Sequence, residues 1–133
     1  PVVFLPLEKG DIPYSDGKYR ELLRATQDAF IFGNFPACAA LLRANLEAII
    51  MGLWNAYGDG LHAKITSINS TLDKPLLGRI WNIKNIADDV LHGNKGAKAA
   101  YDAGMKIELK LLAAMTAIRS LLESPPEKEA TDA

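Results

Sequence analysis

The sequence predicts an all-α fold, an antiparallel bundle of about five helices, on three observations. Apolar residues recur at three- and four-residue spacing in successive windows, no stretch alternates as a half-buried strand would, and short Gly, Asn or Pro punctuation separates the windows. With 133 residues, 49% of them hydrophobic, the chain can build one domain around a real core and leaves no comfortable room for a second. We divide it into an N-terminal arm over 1–14, a helical bundle over 15–124 and a disordered polar tail over 125–133.

The arm carries Pro1, Pro6 and Pro13 and a Lys9-Gly10-Asp11 turn, so it is expected to be irregular, with Val2, Val3, Phe4 and Leu5 seeking a surface to cover. Ser15-Asp16 then offers a helix N-cap, and Tyr19, Leu22, Leu23, Ala25, Ala29 and Phe30 mark a first helix that stops at Gly33-Asn34. Pro36 fits the first turn of the second helix, where its missing N–H costs nothing. That helix is expected to run to about Tyr57 before Gly58-Asp59-Gly60, and the broad apolar face from Cys38 to Trp54 makes it the centre of the core. A shorter helix over about 61–69 turns Leu61, Ile65 and Ile68 inward. Asp73-Lys74-Pro75 opens a fourth helix that Gly93-Asn94 closes. The last helix, over about 97–122, packs Ile107, Leu111, Ala114, Ile118 and Leu121 before Ser124-Pro125-Pro126 ends it.

Composition narrows the function classes. Fifteen basic against 16 acidic residues create no global field for nucleic acid or an anionic membrane, so a polyanion site has to be local. The single cysteine, Cys38, has no internal disulfide partner and reads as a small buried hydrophobe, which makes a reducing, cytoplasmic setting the default. The most apolar run, over 46–54, is interrupted by Glu47 and Gly52 and is too short to span a bilayer. The first residues show no secretory leader, and the start at Pro1 suggests a piece of a longer protein.

The fourth helix carries the densest information. Ile80, Ile83, Ala87 and Val90 form an apolar stripe, while Lys84, Asp88 and His92 step by four along an adjoining one. Arg43 and Glu47 stand one turn apart on the second helix, where the plain expectation is a solvent-facing ion pair worth a few tenths of a kcal/mol. They follow Gly33-Asn34-Phe35-Pro36-Ala37 and precede Leu61-His62-Ala63-Lys64-Ile65.

In this order, these segments resemble the HEPN superfamily of helical domains, and within it a bacterial branch often fused to restriction or other defence proteins. The likeness runs from Tyr19 to Leu122. Each motif is short, and the ordered combination carries it. Arg43, Leu46, Glu47, Lys64, Ile65 and His92 fit the branch's pattern; Lys84 stands where arginine is expected, and Ala87-Asp88 replaces Gly-Asn. The resemblance implies a two-fold dimer or docking on a neighbouring domain of a longer chain. It also makes RNA a candidate partner, since ribonuclease members use an Arg and a His at the dimer seam. There a ribose hydroxyl attacks without a metal, histidine transfers the proton and arginine holds the phosphate.

The departures bear on that chemistry. Lysine keeps the charge but lacks the planar fork that grips two phosphate oxygens. A carboxylate at Asp88, one turn from His92, repels phosphate and is placed to hold His92 in a structural ion pair. Eight positions separate Lys84 from His92, about 12 Å along a helix, so one scissile phosphate reaches both only with help from a second chain or another segment.

Three readings follow. The first is an interaction module without its own catalysis, in which Trp81, Lys84, Asp88 and His92 line a seam and Arg43, Arg79 and Glu47 contact a partner. The second is a metal-independent endoribonuclease with His92 as acid or base and Lys84, Arg43 or Arg79 on phosphate. The third is a small-ligand or nucleotide site at Gly93-Asn94-Lys95-Gly96-Ala97-Lys98, which lacks the strand and the Gly-Lys-Ser/Thr ending of a P-loop and otherwise reads as an inter-helix turn. His62 reads as an exposed or capping residue, the two histidines lack metal-ligand spacing, and no cofactor is called for. Trp54, Trp81 and Tyr57 lie at core spacing.

Overall fold

The computed structural model describes residues 17–92 and 106–123, and these form five α-helices and no strand. They are α1 (Gly17–Ile31), α2 (Phe35–Trp54), α3 (Leu61–Ser67), α4 (Lys74–His92) and α5 (Lys106–Glu123). The expected arm, the Ser15-Asp16 cap, the Gly93-Asn94 closure with its phosphate-turn reading, the start of the last helix near Ala97 and the polar tail lie outside the described residues.

The α1–α2 corner is written in three residues. Gly33, at φ 79, takes the left-handed conformation, with Gly33 N–H donating to Phe30 O and Asn34 N–H to Ala29 O, the paired bonds that close a helix C-terminus. Asn34 then caps α2, its Oδ1 accepting from Ala37 N–H at 3.2 Å, and Pro36 occupies the first turn. The helix stops at Trp54, earlier than the expected Tyr57. Asn55 rather than Gly58 takes the left-handed position, at φ 58, and Ala56 N–H donates back to Ile50 O. Asparagine tolerates that conformation, so a second candidate stop lay three residues before the glycine. Tyr57, expected in the core, is 72% exposed in the turn that follows.

α2 is the hub, touching α1, α3, α4 and α5. Its Leu42, Leu46, Ile49 and Ile50 are fully buried among Leu23 of α1, Ile65 of α3, Ile80 and Ile83 of α4, and Leu111, Met115 and Ile118 of α5. Each such side chain contributes about 1.5–3 kcal/mol on leaving water, which is why the apolar faces dictate the assembly. By length and mean hydropathy (1.4) Phe35–Trp54 is apolar enough to cross a membrane. The expectation of too short a run considered only its central segment. In the fold its most apolar face is taken up by the four neighbouring helices.

Three polar residues, Thr26, Gln27 and Asn45, are buried among the described residues. Asn45, 1% exposed, directs Nδ2 at Thr26 Oγ1 (2.7 Å), Leu41 O (2.8 Å) and Leu22 O (3.2 Å), tying α2 to α1.

A polar clamp across α2, α3 and α4 as the candidate functional site

The helical registers of α2 and α4 determine which charges meet. Arg43 and Glu47 follow each other by one turn on α2, and Lys84 and Asp88 do so on α4 beside the buried Ile80, Ile83 and Ala87. The pairing within α2 expected from the sequence is replaced by pairing across helices. Arg43 donates to Asp88 Oδ1, and Glu47 pairs with Lys64 of α3 at 2.8 Å. Tertiary partners offer the charged heads less water and more hydrogen bonds than a neighbour one turn away on an open face.

Asp88 is the centre of the arrangement. Its Oδ2 accepts from Lys84 Nζ at 2.5 Å while Oδ1 accepts from Arg43, so one carboxylate holds cations from two helices. The Lys84 and Asp88 side chains are only 13% and 18% exposed. Burial alone would raise the Asp88 carboxyl, but the Lys84 hydrogen bond and the Arg43 guanidinium outweigh it and hold the group below the ordinary aspartate value. On the α3 side, Lys64 Nζ also donates to Gly58 O at 3.0 Å and pins the turn after α2. Gly58, at φ 136, needs to be glycine there for a second reason: a Cβ would come within 2.8 Å of Ala63 Cβ.

Aromatic rings border the clamp. The His62 ring meets Trp81 edge-on, with centroids 5.1 Å apart and planes at 63°, and Lys84 Nζ lies 6.0 Å from the Trp81 centroid. Trp81 and Trp54 are partly buried against the core.

The fold therefore brings Arg43, Glu47, Lys84 and Asp88 together and leaves two sequence candidates apart. His92 is exposed at the last turn of α4 and makes no hydrogen bond with Asp88, whose oxygens serve Arg43 and Lys84; the expected Asp88–His92 pair does not form. Arg79 is exposed, and nine residues of helix turn it to the opposite side of α4 from Asp88. Lys64 was visible in the sequence only as a motif position. Nothing local announces that it serves Glu47, because that partner lies on another helix.

Chemically, a phosphate approaching Lys84 or Arg43 competes with a carboxylate already bonded to both. Hydrogen bonds to charged groups contribute about 1.5–3 kcal/mol each, so the clamp favours staying closed. Among the described residues no three His, Cys, Asp or Glu side chains gather as a metal site would require. A shallow recess of about 190 Å³ lies elsewhere, along the first turns of α1 between Gly17, Arg20, Glu21 and Arg24. Comparison with protein-family models, curated proteins and solved structures finds no match to this chain.

Proposed function

We propose that this chain is a HEPN-like helical interaction module of a larger bacterial protein linked to nucleic-acid processing or defence, without catalysis of its own. The observation that carries this reading is the capture of both Arg43 and Lys84 by Asp88. A ribonuclease needs cations free for phosphate beside a histidine able to move a proton. Here Arg43 and Lys84 share the one carboxylate of Asp88 in a structural joint, and His92 stands one turn beyond it at the surface. The joint fixes α4 against α2 and so sets the outward face of α4 for a partner.

The test is cleavage of a panel of single-stranded and structured RNAs in chelator by the purified chain and by His92→Ala and Lys84→Ala variants of equal folded content. The expected result is no cleavage by any of the three. Cleavage by the parent chain that disappears in His92→Ala overturns the proposal and establishes a metal-independent endoribonuclease.

A further inference from the structure

Arg20 and Arg24 stand one turn apart on α1, and among the described residues no carboxylate comes within ion-pair distance of either guanidinium. Glu21 and Asp28, on the same helix, are exposed and make no ion pair with them. Gly17, Arg20, Glu21 and Arg24 share the side of α1 turned away from the buried Tyr19, Leu23 and Thr26. They line the recess of about 190 Å³. Gly17 keeps one end of it open, since a Cβ placed there would meet nothing within 4 Å. At about 30 Å³ of liquid volume per water, the space exceeds what a single water fills.

One atom makes this more than a pair of surface cations. Arg20 Nε is buried and has no hydrogen-bond partner, although the residue as a whole is only part-buried. A buried donor without an acceptor is uncommon in a native fold and points to an acceptor brought from outside. A guanidinium does not shed its proton to escape burial, so that acceptor is best an anion. Two forks meeting at one recess narrow the anion further. A carboxylate has two oxygens, which the Nε edge of one arginine occupies side by side, whereas a phosphoryl group has a third oxygen for the second arginine. The contrast with the clamp is direct. Arg43 and Lys84 already hold Asp88, so a phosphate there has a carboxylate to displace, while at Arg20 it gives Nε its first bond. Glu21 and Asp28 end the basic surface within one turn of the arginines, so a long polyanion finds no continuing track along α1.

We infer that the α1 recess binds a tetrahedral oxyanion, the phosphoryl group of a small molecule, held by Arg20 through its buried Nε edge and by Arg24 from one turn further on. The inference goes beyond the interaction-module reading and stands apart from it, since the recess shares no residue with the joint of Arg43, Lys84 and Asp88. Glu21 works against the ligand: one carboxylate among two guanidiniums weakens the attraction and sets a limit on affinity.

The test follows the arginine Nε–H signals and the α1 backbone amides of the nitrogen-15-labelled full chain while inorganic phosphate replaces chloride at constant ionic strength. The Arg20 signal is expected to move and to saturate with a dissociation constant below about 10 mM, and acetate at the same ionic strength is expected to give no saturating shift. Arg20→Lys keeps the charge without the fork, and binding followed at Arg24 and the backbone amides is expected to weaken at least about tenfold. Glu21→Gln, at an exposed position where folding is not at stake, is expected to tighten binding at least about twofold. Lys110→Gln, an exposed cation on α5, is expected to leave the affinity unchanged. A shift that stays linear in phosphate, equal saturation by acetate, or an affinity indifferent to both Arg20→Lys and Glu21→Gln overturns the site. Single-stranded RNA that moves the same signals at far lower concentration than phosphate assigns the face to a polyanion and overturns the small-molecule ligand.

Discussion

Lys84 Nζ lies 2.5 Å from Asp88 Oδ2 while Arg43 of the neighbouring helix takes the other oxygen, so a single carboxylate joins α2 to α4. Because the fold holds Asp88 below its ordinary value of 3.8, the ionised form is favoured in the folded state. The stabilisation is thus fully present above pH 3.8 and is lost as pH falls through the lower folded value. Asp88→Asn is expected to flatten this part of the acid limb of a stability-against-pH curve. Asp88→Ala, which leaves two part-buried cations without their acceptor, is expected to cost roughly 1–3 kcal/mol at neutral pH. Urea titrations of parent and variants from pH 7 to pH 3 check both; an unaltered acid limb in Asp88→Asn removes the clamp from the account.

Asn45 offers a second polar test inside the core. Its Nδ2 faces acceptors only, and its Oδ1 is buried without a hydrogen-bond partner. Asn45→Ala gives up the link to Thr26 and the two carbonyls and is expected to cost about 1–3 kcal/mol. Asn45→Asp turns a carboxylate toward the oxygens of Leu22, Leu41 and Thr26, and the expected loss at neutral pH is larger, on the order of 3–5 kcal/mol. Part of that loss returns as the solution is acidified, because protonation removes the buried charge and restores a donor. Equal stability of the alanine and aspartate variants across pH would contradict the donor role assigned to Asn45.

Cys38 makes a prediction at the other end of the pH scale. Its Sγ lies 3.9 Å from Met115 Sδ in a fully buried position, and burial pushes the thiol up to about 12 from 9.0. A thiol raised in the folded state favours folding in its neutral form. Its contribution is intact below pH 9.0 and drains away between there and about 12, where only the unfolded chain ionises. The slope is about 1.4 kcal/mol per pH unit within that window. Parent and Cys38→Ala are therefore expected to converge in stability as pH rises from 9 toward 11, and native protein at pH 8 is expected to resist a thiol reagent until denaturant is added. Rapid labelling of the native chain would refute the burial argument.

These residues show where sequence reading works and where it stops. Helix identity was legible because burial acts on spacing: Leu42, Leu46, Ile49 and Ile50, or Ile80, Ile83 and Ala87, announce their faces before any fold is known. The end of α2 was misplaced because Asn55 and Gly58 both accept left-handed backbone, and packing chose between them. At the site, Lys84, Asp88 and His92 were legible as one stripe, but the carboxylate expected to serve His92 bonds Lys84 instead. The exchange of partners between Arg43–Glu47 and the cross-helix bonds to Asp88 and Lys64 was not legible, because it depends on the relative rotation of three helices, a property no local spacing encodes. For the same reason Asn45 passed unremarked in an apolar helix, and its role appears only when Thr26 of α1 stands beside it.

Gly52 illustrates a contact of that non-local kind with a sharp consequence. It reads in the sequence as an interruption of an apolar run, yet a Cβ built there would fall 1.8 Å from Tyr19 Oη and 3.2 Å from Tyr19 Cζ. The glycine is the opening through which the Tyr19 phenol of α1 lies against α2. Alanine at an ordinary interior helix position gains about 1 kcal/mol over glycine. Here the phenol has to move out of a core in which Tyr19 is 7% exposed, and overpacking of this kind costs about 1–3 kcal/mol. Gly52→Ala is therefore expected to destabilise despite its better helix propensity. Removing the hydroxyl should relieve most of the clash, so Gly52→Ala made in a Tyr19→Phe background should cost less than in the parent, with a favourable coupling of at least about 1 kcal/mol in a double-mutant cycle measured by denaturant unfolding. Additive effects of the two substitutions would mean that α1 does not lie against α2 as described.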